Sequence, residues 1–195
     1  MALTPDISEL LARARSDLRM GLPVVLEDAG RSALAAAAET VDATRLAELT
    51  ALGPATVAIT ARRAATLKAR PYDGDLARIV PPQGADLGWV RAIADPKDDL
   101  ARPMKGPLTS ERDGPADLHR FAIALAKSAR LLPACVVLPL TGAAPAGLTR
   151  IALAAAAAHL GDPLPMREVV SARVPLEVAE AGRRHVFRPE DGGGA

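Results

Sequence analysis

The chain has one cysteine, Cys135, in 195 residues. A lone thiol excludes an internal disulfide framework and any zinc site built from several thiolates, and it points to a cytoplasmic setting. Long apolar runs are missing too. The longest, Ile151 to Ala158, is far too short to span a bilayer, which needs about 20 residues. The N-terminal MALTPDISELLARAR reads as a capped amphipathic helix rather than a charged segment followed by an apolar one, so no signal peptide is expected. Neither sign of charge dominates: the formal net charge is +1, with basic and acidic residues interspersed. That pattern gives no footprint for nucleic acid and no reason to expect a membrane surface as partner. Aromatic residues are reduced to Tyr72, Trp89, Phe121 and Phe187. Alanine and leucine take their place, and the substitution carries no chemical signal.

What is present is an alternation of helix and strand. Thr4 with Pro5 at the next position predicts a first helix start; Ile7, Leu10, Leu11, Ala14 and Leu18 follow at helical spacing, and Gly21 supplies the stop. Pro23-Val24-Val25-Leu26 reads as a buried strand. The run Ser32 to Glu39 is helical by alanine propensity and extended by position, and is left open. Asp42 caps a helix carrying Leu46, Leu49 and Leu52, and Thr56 to Thr60 reads as the next strand. Lys68 to Asp86 and Pro103 to Gly114, rich in Pro, Gly and Asp, read as long surface loops, where a site would first be sought. A helix from about Pro115 presents Leu118, Phe121, Ala122, Leu125 and Ala129 on one face and leads into the strand Ala134 to Leu138. Leu148 to Leu160 predicts one more helix, stopped by Gly161. The tail Arg184-His185-Val186-Phe187-Arg188 reads as a strand entering a hairpin turn whose partner is absent. The fold class implied is α/β: one domain with a mixed sheet and flanking helices.

Several segments in order resemble the 3,4-dihydroxy-2-butanone-4-phosphate synthases of riboflavin biosynthesis. They are Asp17 to Leu26, Ala37 to Thr60, Arg91-Ala92-Ile93-Ala94-Asp95-Pro96, Asp98 to Leu108, and Ile123 to Val137. The resemblance covers most of residues 10 to 170 and implies that family's fold. A second one, from Ser171-Ala172-Arg173-Val174-Pro175-Leu176 to Val186-Phe187-Arg188-Pro189-Glu190-Asp191-Gly192-Gly193, is similar to the first strands of a GTP cyclohydrolase II domain. It implies two parts: 1–170 synthase-like, and 171–195 a linker with the start of a cyclohydrolase-like segment.

The synthase reaction converts ribulose 5-phosphate and expels formate, which needs a divalent cation, carboxylates that move protons and basic groups for phosphate. The resemblance puts these roles on particular positions. Where the family has Arg-Glu-Asn-Glu-Gly-Asp, this chain has Asp28-Ala29-Gly30-Arg31-Ser32-Ala33, without either glutamate. The family's metal-ligand histidine falls on Leu118, with His119 one residue off. The late catalytic glutamate falls on Pro139, and Pro81-Pro82-Gln83-Gly84 stands in the region of the phosphate and sugar contacts. The expectation is no catalytic residue, no metal ligand and no cofactor, with the magnesium site lost. His119 has no second ligand at suitable spacing, and Cys135 reads as core. What remains is a vestigial cleft at Asp28, Arg31, Ser32, His119 and Arg120, which could still hold an anionic metabolite through its arginines. The implied partners are a second copy of the chain and a GTP cyclohydrolase II domain, in cis or in trans.

Overall fold

The computed structural model describes residues 4–97, 99–100, 103, 105–160, 166–174 and 182–189. A first helix, α1 (Ile7–Arg19), is followed by strands β1 (Val24–Asp28) and β2 (Arg31–Ala37), then α2 (Ala43–Ala51), β3 (Thr56–Thr60), α3 (Ala61–Thr66) and β4 (Leu76–Val80). Next come α4 (Leu87–Ala94), the short β5 (Thr109–Ser110), α5 (Asp117–Ser128), β6 (Ala134–Leu140), β7 (Arg150–Ala152), α6 (Leu153–Leu160), and the pair β8 (Met166–Arg173) and β9 (Arg183–Pro189).

Seven strands form one sheet in the order β5-β4-β3-β6-β2-β1-β7. Its neighbours are antiparallel except β1 with β7, which run parallel, so the sheet is mixed as expected. Successive side chains on a strand point to opposite faces, and here both faces are apolar. Val24, Leu26, Ala33, Ala35, Ala58, Leu76, Cys135 and Val137 pack on one side against α1, α5 and α6. Val25, Leu34, Ala36, Val57, Ile59, Ala77, Ile79 and Val136 pack on the other against α2, α3 and α4. The product is a three-layer α/β/α arrangement with a core on each face of the sheet.

Several expectations need correction. The first helix is capped by Asp6, not Thr4. The Asp6 carboxylate accepts from Glu9 N at 2.8 Å while the Glu9 carboxylate accepts from Asp6 N at 2.9 Å, a reciprocal box that outcompetes a single hydroxyl cap. The undecided alanine run is strand: β2 lies between β1 and β6 and small side chains let both faces bury. The stretch read as one loop from Lys68 to Asp86 contains β4, and Thr109–Ser110 forms β5 inside the second. Within Leu148 to Leu160 the first residues pair with β1 as β7 before α6 starts. The tail strand β9 does have a partner, β8, immediately upstream of it. The Gly161 stop and the glycine-rich end, 190–195, lie outside the described residues.

Gly21 shows why the first helix must stop where it does. Its φ is +75°, and a Cβ there would stand 2.5 Å from the Thr40 carbonyl oxygen. Only glycine permits both the left-handed backbone and that approach.

Candidate functional site

The turn between β1 and β2 is the centre of the expected site. Ala29 (φ 47°) and Gly30 (φ 80°) join Asp28 to Arg31 as a tight two-residue hairpin. A cavity of about 310 Å³ opens beside it, lined by Glu27, Asp28, Arg31, Ser32 and their neighbours with Ala152 and Ala154. The start of α5 comes up to the same turn: Arg31 Nη2 donates to the Asp28 carboxylate and, at 3.3 Å, to Asp117 Oδ2. Pro139 on β6 sits opposite Ala33. Sheet pairing and the α5 N-terminus therefore bring the β1–β2 turn, Pro139 and Asp117 into one neighbourhood.

Their chemistry is that of a closed charge chain. Arg120 holds Asp75 in a bidentate pair, Nε to Oδ2 at 2.7 Å and Nη2 to Oδ1 at 2.8 Å, and reaches Asp117 Oδ1 at 3.4 Å. The Arg120 guanidinium beside Asp75 draws that carboxyl below the usual carboxylate range, and Asp75 in turn raises Arg120. Arg31 and Arg120, the two groups expected to hold an anion, are thus each bound to carboxylates: Asp28, Asp117 and Asp75 outnumber them. A new anion must displace a carboxylate from either.

His119 is not part of this cleft. It is buried, with Nε2 at 3.1 Å from Thr56 Oγ1 and no partner on Nδ1 among the described residues. Burial, with Arg78 nearby, pushes its pKa down to about 4. A neutral imidazole in the core binds neither anion nor substrate. Its shift has a measurable consequence. The unfolded chain takes up a proton near pH 6.5 and the folded one only near pH 4, so stability falls as pH drops through that window. The loss expected is on the order of 3 kcal/mol between pH 7 and pH 4. Urea unfolding at a series of pH values should show it, with a much flatter profile for His119→Gln; equal profiles would contradict the assignment.

The magnesium implied by the resemblance does not fit these residues. Hard cations take six or more oxygen ligands. Ala29 and Pro139 offer no side-chain donor, Leu118 is buried apolar core, and Asp28 and Asp117 are engaged by Arg31. Among the described residues no group of three or more His, Cys, Asp or Glu side chains converges. Cys135 lies in the core, its thiol donating to the Ala122 carbonyl at 3.3 Å, and burial pushes its pKa up to about 12, which removes the thiolate needed for nucleophilic chemistry.

A larger cavity, about 670 Å³, flanks α5 and was not foreseen. Arg120 and Asp75 lie at its wall with Arg62, Lys127 and Arg130. The signal was present in the helical spacing, since Arg120, Ile123, Ala124 and Lys127 share one face of α5. It was missed because that face is not the apolar one.

Comparison with known proteins follows from this architecture. The chain has the fold of the 3,4-dihydroxy-2-butanone 4-phosphate synthases. A cation-free form of such a synthase superposes with a TM-score of 0.57 at 15% identity, covering 80% of this chain and 97% of that one. The Candida albicans synthase gives 0.58 at 17%, covering 83% and 100%, and a two-domain synthase from A. baumannii gives 0.58 at 14%, covering 92% and 66%. In sequence, the chain is similar to a protein named GTP cyclohydrolase-2 from Azospirillum brasilense, with 34% identity over 194 residues and 93% of this chain aligned. The chain spans about half the length of that relative, 50%. No family model matches it. Among the described residues no helix is long and apolar enough to cross a membrane.

Proposed function

We propose that the chain is a catalytically silent synthase-fold domain of a riboflavin-biosynthesis protein, serving as a structural and dimerising partner of a GTP cyclohydrolase II domain. The observation that carries the reading is the placement of Arg31. Its guanidinium occupies the turn that the resemblance assigns to acidic ligands and neutralises the carboxylates still nearby, Asp28 and Asp117. The relation to a GTP cyclohydrolase-2 over nearly the whole chain supports the pathway and the partner. The β8–β9 ribbon supports the partner as well. Its pairing leaves Met166, Val169, Val170, Val186 and Phe187 exposed, between 38% and 55% of their surface. An isolated two-stranded ribbon is marginal in water, and such a ribbon gains stability when a further surface covers it.

Retention of the synthase scaffold without its acidic turn favours a role in assembly. Light scattering on the purified chain should give a homodimer, and mixing with a separately produced GTP cyclohydrolase II domain should give co-elution and a raised Tm for both. A monomer at every concentration removes the dimerising role. Absence of any interaction with the cyclohydrolase domain removes the partner role.

A further inference from the structure

We propose that the cavity along α5 is a binding site for a small phosphate ester, with Arg62, Lys127 and Arg130 as its anion ligands. Its volume, about 670 Å³, is that of a small-molecule site. Leu76, Ile123, Ala124 and Leu160 give it apolar wall for a carbon skeleton. Its charge is lopsided among the described residues: Asp75 is the one carboxylate of its described lining and is held by Arg120, while Arg15 donates to Ser128 Oγ. Among the described residues Arg62 and Arg130 have no side-chain partner, and Lys127 has none within hydrogen-bond reach, though its charge helps to lower Asp75. Arg62 comes from α3, whereas Lys127 lies in the last turn of α5 and Arg130 just past its C-cap, so an anion between them is approached from two sides. Unmatched cations gathered in a concave surface raise the local concentration of anions.

Arg130 also closes its helix in a conformation that a variant can exploit. It follows the C-cap residue of α5, Ala129, with φ 61°, and the bonds Arg130 N to Lys127 O (2.9 Å) and Leu131 N to Ala126 O (3.0 Å) close the helix in the pattern that ordinarily places glycine there. Lys68 ends α3 in the same conformation, so the backbone at Arg130 serves the test rather than the assignment.

This backbone makes the test clean, because Arg130→Gly removes the charge while relieving the strain. The full chain is titrated by calorimetry, at constant low ionic strength, with glycerol 3-phosphate and with inorganic phosphate. Saturable binding is expected, tighter for the ester because of the apolar wall. Arg130→Gly should weaken it about tenfold, as loss of a charge-assisted hydrogen bond does, while leaving Tm equal or higher. Lys127→Gln should weaken it similarly, and Arg45→Gln on α2, outside the cavity lining, should leave it unchanged. No saturable binding up to about 10 mM, a level at which even millimolar sites fill, overturns the proposal. So does binding indifferent to Arg130→Gly and Lys127→Gln, or lost with Arg45→Gln. Equal affinity for inorganic phosphate and the ester overturns the assignment to an ester.

Discussion

Replacing Arg78 with methionine should remove about 3–5 kcal/mol of stability, enough to threaten the fold of a domain of ordinary stability. Arg78 sits at the middle of β4 with only 2% of its surface exposed. Its Nε and Nη2 donate to the two Asp73 oxygens at 2.9 and 3.1 Å, its Nη1 to the Asp113 carbonyl at 2.9 Å, and its Nη2 to the Gly114 carbonyl at 3.3 Å. Glu111 completes the shell at 3.1 Å from Nη1. One side chain therefore ties the segment before β4 to the segment that delivers α5. Methionine fills similar volume but leaves the little-exposed Asp73 carboxylate without its cation and two carbonyls without their donor, the situation that makes breaking such a pair so costly. Urea unfolding measures the loss. Adding Asp73→Asn should recover part of it, because the stranded charge is then gone. A loss below about 1 kcal/mol would place Arg78 in water rather than in the core.

That residue also shows where the sequence stops being readable. Leu76-Ala77-Arg78-Ile79-Val80 has no alternation because both faces of β4 are covered, and the one charged residue is buried by its partners rather than by its strand. Flanked by Pro71 and Gly74 on one side and Pro81-Pro82 on the other, it reads as loop until β3 and β5 pair with it. The alanines of β2 mislead in the opposite direction. Propensity favours helix, and the two neighbouring strands override it. By contrast α1, α2 and α5 were legible from a helical period or a capping residue, and β3 and β6 from short apolar runs rich in β-branched residues. At the candidate site, sequence placed Asp28, Arg31 and Arg120 in one neighbourhood, joined through Asp117. It could not reveal that Asp117 and Asp75 absorb their charge, a through-space pairing between residues as many as 86 apart. Nor could it reveal that His119 turns toward Thr56 and the core.

The second large effect expected is complete absence of the synthase reaction. Formate release from ribulose 5-phosphate requires proton abstraction beside a carbonyl and a cation to hold the developing enediolate, and acid–base groups contribute factors of about 10² to 10⁴ each. Ala29 in an exposed hairpin, Arg31 bound to two carboxylates, Leu118 in the core and Pro139 opposite Ala33 supply neither base nor cation ligand. Restoring one carboxylate with Ala29→Glu should not rescue turnover, since the other ligands are still lacking and Arg31 would pair with the new charge. The direct measurement is formate production by the purified chain from ribulose 5-phosphate with magnesium, at concentrations where an active synthase finishes within minutes. No formate above a protein-free control is the result predicted here. Formate release abolished by a chelator would contradict the account and place the catalytic groups elsewhere in the chain.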